Sequence, residues 1–265
     1  MRTLIINVAT EVERREFQLQ QMGRCSLEYE LIRAFTPINL REDESEYLGY
    51  NWQRPLREVE ICCLQSHIFA WQNVIDAERP ALILEDDAYL CSNISAIIAS
   101  LKSNQDFEFI SLETRRKKKL LSKNSQTLYG GYQIHKLVKG GRGAAAYVLT
   151  PQGARKLVSF VRERGFAIAD AVIEDCPKLR KGQVSPAPAL QIDMCEAYRL
   201  LAPIKTKTSI DSPVNCKPRP RCLFEFLQMK RKRIFARSKS LMKLAILRAF
   251  YTYRVPHVVN SDFSK

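Results

Sequence analysis

The sequence predicts an α/β domain with a mostly parallel central sheet, followed by a basic helical extension. Three observations lead there. Short apolar runs alternate with segments whose apolar residues recur every three or four positions, the pattern of strands alternating with packed helices. With 265 residues, 46% of them hydrophobic, the chain is too apolar to be mainly disordered and long enough for one such domain plus an extension. The charge is also lopsided. From Lys217 to Arg254 twelve Lys/Arg stand against a single acid, Glu225, so this stretch holds +11 of the net +14. Pro213, Pro218 and Pro220 interrupt regular structure nearby, and the expected division is 1–212 for the globular domain and 213–265 for the extension.

Taken in order, Thr3–Val8 is an apolar run of the buried-strand type. Thr10, with Glu13 three residues on, forms a capping box that opens a helix over Glu11–Met22. Tyr29–Phe35 is a second strand, and the polar, acid-rich Pro37–Pro55 a long surface loop. Between Arg57 and Ala77, Ile61, Leu64, Ile68, Trp71 and Ile75 share one helix face. Ala81–Leu84 is a fully apolar strand that runs straight into Glu85-Asp86-Asp87. Ser92 can cap a helix carrying Ile94, Ile97, Ile98 and Leu101. Phe107–Leu112 is a strand, Arg115–Lys119 a basic loop, and Tyr129–Tyr132 a turn in an antiparallel hairpin around Tyr129–Val138. Ala144–Leu149 is a strand after the glycine-rich Gly140–Gly143, and Thr150-Pro151 caps and opens a helix ending near Arg164. A strand at Phe166–Ile168 precedes Asp170.

Eight cysteines without a CxxC pair, and only three histidines, argue against a structural zinc site; the thiols are expected to be reduced and mostly buried. The N-terminal apolar run gives way at once to charged residues, so no signal peptide is expected, and no stretch approaches the ~18–20 apolar residues that span a bilayer.

The acidic triplet carries the chemistry. Three neighbouring carboxylates at the end of a buried strand repel one another unless something compensates, and a divalent cation would do so through hard oxygen ligands. In open α/β sheets ligands sit beyond the carboxyl ends of strands, where these acids lie. The plainer alternative is that they open a loop and cap the next helix, and phosphoryl-transfer proteins carry similar patterns.

The surroundings of the triplet favour the first reading. Glu58-Val-Glu-Ile-Cys-Cys-Leu-Gln-Ser-His67, then Trp71, then Leu82-Ile-Leu-Glu-Asp-Asp-Ala88 resembles glycosyltransferase family 25, whose members add galactose or glucose in bacterial lipopolysaccharide or lipooligosaccharide synthesis. Glu60, Cys63, Ser66, His67, Glu85, Asp86 and Asp87 match the family pattern, while Val59 and Cys62 replace its two usual glycines. Ile6-Asn7 with Arg14-Arg15 is similar to the family's opening strand and helix, and Gly143–Thr150 with Ala154 and Leu157 to its Gly-x-x-(Gly/Ala)-Tyr segment. Ile168-Ala-Asp170 and Ser209-Ile210 extend the resemblance, so that it runs in family order from residue 3 to 210, with Ala169 departing from the family's residue before the aspartate.

The resemblance implies a GT-A-type fold, a UDP-sugar donor, and a divalent metal, Mn2+ or Mg2+, bridging the acids to the diphosphate. Asp87 is then the expected direct metal ligand, with Asp86 helping to position metal or ribose and Glu85 the strand end or a sugar hydroxyl. Family members are expected to invert the anomeric centre, which requires a general base; Asp170 is the candidate, with Glu174 and Asp175 as alternatives and helix capping as its structural reading. His67 is open between metal ligand, diphosphate partner and core histidine; Arg14 or Arg15 is the candidate to reach the nucleotide, with a solvated helix position as the alternative reading of Arg15. Gly140, Gly141 and Gly143 precede a strand rather than a helix and are no nucleotide fingerprint.

Leu227–Tyr253 reads as a cationic amphipathic helix with Phe235, Met242, Ile246 and Phe250 on one face. Such a helix suits an anionic membrane surface, at about 1 kcal/mol per basic residue. It fits an enzyme on the cytoplasmic face of the inner membrane with a lipid-linked oligosaccharide acceptor. The rival reading is nucleic-acid binding by the same tail, although no zinc-finger, RRM, KH or helix-turn-helix signature accompanies it.

Overall fold

The computed structural model describes residues 1–40, 48–50, 52–102, 105–205, 218–234 and 251–263. Among these residues there are eleven strands: β1 Arg2–Asn7, β2 Tyr29–Arg33, β3 Ala81–Glu85, β4 Ala88–Leu90, β5 Phe109–Ser111, β6 Lys119–Thr127, β7 Gln133–Lys139, β8 Ala146–Leu149, β9 Lys181–Ser185, β10 Ala189–Gln191 and β11 Tyr251–Arg254. The helices are α1 Val12–Arg24, α2 Glu58–Ala77, α3 Ile94–Leu101, α4 Pro151–Arg164 and α5 Ala169–Asp175. Residues 223–234 are helical as well.

Nine strands form one sheet in the order β11-β6-β7-β9-β5-β8-β3-β1-β2. The expectation of a mostly parallel sheet is corrected here. Among the described strands only the β1–β2, β1–β3 and β5–β9 pairs are parallel; β8 runs antiparallel between β3 and β5, and β7, β6 and β11 continue antiparallel to the edge. An apolar run such as Ala144–Leu149 signals a strand buried on both faces, which does not fix its direction.

Strand alternation sorts the core onto the two faces. Ile5, Leu82, Leu84 and Val148 pack with α1 and α3, through Phe17, Met22, Ile94 and Ile97. Leu4, Ile6, Ile83 and Tyr147 face Leu64, Trp71 and Val74 of α2 and Leu157 and Val161 of α4. Fully burying a side chain of the Leu or Ile class contributes roughly 1.5–3 kcal/mol, so these two layers hold the sheet between them.

Several local expectations change. The first helix is capped at Glu11 with no side-chain cap bond, so the Thr10–Glu13 box does not form. Asn93 rather than Ser92 precedes α3. Thr150 does cap α4, accepting from Gly153 N at 3.1 Å. Phe166–Ile168 is not a strand but leads directly into α5. The hairpin around Tyr129–Tyr132 is present as β6–β7. Of the tail helix expected over Leu227–Tyr253, 235–250 lies outside the described residues, and Tyr251–Tyr253 belongs to β11, which pairs with β6 at the sheet edge. Beyond β11 the chain stays on the domain: Phe263 is buried in the core and Asp262 accepts from the Tyr132 hydroxyl at 2.7 Å. Among the described residues no helix is long and apolar enough to cross a membrane, and the seven cysteines described are free.

Candidate active site

The acidic triplet lies at the carboxyl end of β3, where Ile6 of β1 is opposite Glu85 and where β8 begins alongside, Glu85 N donating to Ala145 O at 2.8 Å. A second, small sheet completes the rim: β4, directly after the triplet, pairs antiparallel with β10 and brings Gln191 opposite Ala88.

The three acids have different environments. Asp86 is buried and engaged on both oxygens, accepting from Asn7 Nδ2 at 2.8 Å, Val8 N at 3.2 Å and Arg14 Nη1 at 3.2 Å. The polar face of α1 turns inward for this purpose, Gln18 and Gln21 holding the carbonyls of Asp86 and Ala88. The expectations that Asp86 ligates a metal and Arg14 reaches a nucleotide therefore meet a different geometry: both are buried and paired with each other, fixing the strand end.

Glu85 and Asp87 are less shielded. Among the described residues the Asp87 carboxylate receives the Gln191 amide alone, at 3.1 and 3.4 Å, and the same nitrogen lies 3.4 Å from Glu85 Oε2. Desolvation, with Asp170 and Asp86 adding repulsion, pushes the Glu85 carboxyl up to about 8. Desolvation and the charges of Glu85 and Asp86 push Asp87 up to about 7. Asp170, in the first turn of α5, is raised too, chiefly by desolvation. Its charge is felt at Glu85, at His67 and at Glu113. The alternatives do not join them in this way. Glu174 caps the glycine loop, accepting from Gly140 N at 2.9 Å and Gly141 N at 2.6 Å, and Asp175 is exposed.

His67, on α2, is 1% exposed and held neutral, its imidazole pushed down to about 4 by desolvation. Its Nε2 lies 3.1 Å from Glu85 Oε1 and its Nδ1 2.9 Å from the Tyr147 hydroxyl. Cys63, one turn earlier, remains a thiol, its acidity suppressed by desolvation and by the nearby charges of Glu85, Asp170 and Asp87. Donor atoms of Cys63, His67 and Glu85 lie within 4.8 Å of one another, a group that could hold a metal ion. Two other α2 positions of the family pattern, Ser66 and Glu60, bond to the backbone and to Arg54. Ser66 Oγ ties the exit of β2 to the helix, accepting from Phe35 N at 2.9 Å and donating to Cys62 O at 2.8 Å. Glu60 accepts a fork from Arg54 at 2.6 and 2.8 Å and caps the helix through Arg57 N.

Two site residues escaped the sequence reading. Gln191 carries no local signal; it reaches the acids only through the β4–β10 pairing. Glu113 had a signal, being an acid just past a buried strand as Glu85 is. It is fully buried, accepts from Ala145 N at 2.7 Å through Oε1, and its Oε2 has no hydrogen-bond partner among the described residues. Desolvation raises its carboxyl against the pull of Lys119. Gly143, at φ +135°, packs directly on this carboxylate: a Cβ there would lie 2.7 Å from Glu113 Cδ, so no larger residue fits.

This acid-lined rim lies within the stretch that carries the family pattern. The model for glycosyltransferase family 25 (LPS biosynthesis protein) matches residues 1–172, which is more than half of the 265-residue chain. The chain belongs to glycosyltransferase family 25. Among relatives, the lipooligosaccharide biosynthesis protein lic2B of Haemophilus influenzae is 24% identical over 171 residues, covering 59% of this chain and 62% of that protein. The lacto-N-neotetraose biosynthesis glycosyltransferase LgtB of Neisseria meningitidis serogroup B is 26% identical over 177 residues, covering 63% of each. The chain thus spans about three fifths of the length of these curated relatives. Among solved structures, a glycosyltransferase involved in glycosylation of the major capsid of PBCV-1 matches at TM-score 0.41 and 12% identity, over 75% of this chain and 96% of that one, a likeness too loose to carry an argument.

The donor set suits a divalent cation. Glu85 and Asp87 are partly open oxygen donors for which burial and acid–acid repulsion outweigh the pull of Arg14, paired with Asp86, and of Arg115, paired with Asp193 at 3.0 Å. Hard oxygens in this number fit manganese or magnesium.

Proposed function

We propose that this glycosyltransferase family 25 member is an inverting, metal-dependent hexosyltransferase. In this reading it moves galactose or glucose from a UDP-sugar, bound on a GT-A-type arrangement, to a lipooligosaccharide or lipopolysaccharide core acceptor. The observation that carries the reading is the uncompensated pair Glu85 and Asp87 at the rim of the sheet, with Asp170 beside them. Asp87 and Glu85 would hold the Mn2+ or Mg2+ ion, whose chemistry is to stabilise negative charge on the departing diphosphate. Asp86 and Arg14 lock the strand end so that the two neighbouring carboxylates keep their spacing. Asp170 takes the proton of the acceptor hydroxyl as that oxygen attacks the anomeric carbon. Burial raises its proton affinity, which makes it a stronger base than an exposed carboxylate. Arg115 and Arg142, whose charges are felt at Asp170, supply positive potential at the mouth for an anionic donor.

The extension is read as the membrane-facing part, with the enzyme peripheral on the cytoplasmic face of the inner membrane. In the helical stretch 223–234, Leu223, Phe224 and Ile234 are 71, 68 and 60% exposed beside Lys230–Arg233. Apolar and basic side chains exposed together suit the headgroup region of an anionic bilayer. Co-sedimentation with anionic but not zwitterionic vesicles is the expected result. Equal or tighter, steeply salt-dependent capture of duplex nucleic acid would favour the rival partner.

The catalytic reading is tested by Mn2+-dependent hydrolysis or transfer from UDP-galactose and UDP-glucose, followed by mass analysis of the extended oligosaccharide. Inactivity of folded protein across the common nucleotide sugars would overturn it.

A further inference from the structure

Four side chains from three elements form a continuous hydrogen-bonded chain that ends on Glu85. Trp71 Nε1 lies 2.8 Å from the Tyr147 hydroxyl, that hydroxyl 2.9 Å from His67 Nδ1, and His67 Nε2 3.1 Å from Glu85 Oε1. Trp71, Tyr147 and His67 are each at most 1% exposed, so water does not complete their hydrogen bonding. The direction of the chain follows from its first member. An indole N–H can only donate, so the Tyr147 oxygen accepts from Trp71. The hydroxyl proton then has His67 Nδ1 as its described acceptor. A neutral imidazole that accepts at Nδ1 carries its proton on Nε2 and donates from there. The reverse polarity would leave the Tyr147 hydroxyl proton buried without a described acceptor.

We propose that Trp71 and Tyr147 are positioning residues that hold His67 in the Nε2–H tautomer, making His67 a fixed donor to Glu85 Oε1 rather than a metal ligand. This rests on the reading of Glu85 as a site residue. One oxygen of Glu85 is thereby pinned, and Oε2, which Gln191 approaches at 3.4 Å, is the one presented to a cation or a sugar hydroxyl. Pinning matters because Glu85 and Asp87 repel: a carboxylate free to rotate would turn from its neighbour and spoil the pair. It also explains why an α2 histidine and a β8 tyrosine belong to one site although 80 residues separate them.

The tautomer can be read directly. Long-range 1H–15N spectra of the whole protein, with the His67 signals identified against His67→Gln among only three histidines, are expected to show a protonated Nε2 and an unprotonated Nδ1 at neutral pH. A protonated Nδ1, or a charged ring, overturns the proposal. Tyr147→Phe keeps the ring and removes the hydroxyl; it is expected to mix the two tautomers and lower turnover about 10–100-fold, the usual cost of losing an outer-shell partner. An unchanged tautomer in that variant overturns the proposal. Binding of Mn2+ alone, followed by its electron paramagnetic resonance, separates donor from ligand. His67→Gln, whose amide nitrogen can replace Nε2 as a donor, is expected to retain affinity within about threefold, whereas Asp87→Asn loses at least about tenfold. An equal loss in both makes His67 a ligand and sinks the idea. If the wild-type protein neither binds Mn2+ nor uses a nucleotide sugar, the functional reading fails by itself, while the spectra still decide the polarity of the chain.

Discussion

Glu108 and Glu85 are acids at opposite ends of the same sheet, and the fold treats them in opposite ways. Glu108, 2% exposed just before β5, accepts from Lys156 Nζ at 2.7 and 2.8 Å and from Arg180 N at 3.0 Å, with the Arg180 guanidinium 3.3 Å away. Desolvation alone would raise its carboxyl, but these partners outweigh it and hold it below the usual value. At Glu85 the order is reversed: desolvation and neighbouring acids win, and the carboxyl rises to about 8. The fold can neutralise a buried acid where it needs one for structure. At the rim the basic neighbours do not outweigh burial and repulsion, which in the proposed reading suits an ion that comes and goes.

The largest test of this contrast is Asp87→Asn. Removing one of the two open carboxylates is expected to lower Mn2+-dependent turnover of a UDP-hexose by at least about 100-fold, as for other groups that stabilise developing charge. Stability should be unchanged or slightly increased, because the repulsion from Glu85 and Asp86 is lost while the amide can still accept from Gln191. Turnover and thermal melting measured on one preparation check both halves; a variant that is active, or that unfolds at room temperature, would break the contrast.

Glu108→Gln should do the opposite. It removes a charged acceptor from Lys156 and Arg180 far from the rim, so urea unfolding is expected to show a loss of about 1–3 kcal/mol. The KM for nucleotide sugar should stay at the wild-type value. A kinetic defect at intact stability would mean that the two ends of the sheet are coupled.

How much of this could be read in the chain depends on range. The β3 strand and its acids are contiguous, so one apolar run followed by three carboxylates located the site. The Ser66-His67 pattern likewise placed α2 beside it, and Thr150-Pro151 marked the start of α4. Sheet direction was not legible, since β8 is equally apolar whichever way it runs. Nor was the division of labour within the triplet. Asp86 differs from Asp87 only because Asn7, Val8 and Arg14 converge on it from more than 70 residues away. Gln191 and the direction of the His67 bonds depend on pairings of similar range. The basic tail showed its charge plainly but not that the chain rejoins the sheet at Tyr251–Arg254.

The finest expected difference is in the pH dependence of stability. Glu85 and Asp87 rise from ordinary values of 4.5 and 3.8 to about 8 and about 7, so between those limits the folded protein binds more protons than the unfolded chain. Stability contributed this way is complete below about pH 4 and falls as pH rises through the folded values. Glu108 has the opposite sign, since its lowered carboxyl loses stability only as pH drops below its usual value. His67, pushed from 6.5 down to about 4, adds stability as pH rises between those values and is silent above them. Thermal melts of metal-free protein between about pH 6.5 and pH 8 therefore report on the raised acids, Glu85 and Asp87 together with Glu113 and Asp170, and Asp87→Asn separates the share of the triplet; Tm is expected to fall by about 2–4 °C per kcal/mol lost. Excess Mn2+ should raise Tm more at the upper end of that window, where both acids are ionised, and Asp87→Asn should flatten the slope. A flat profile in the wild-type protein, or one that Asp87→Asn leaves unchanged, would remove the rim acids as its source.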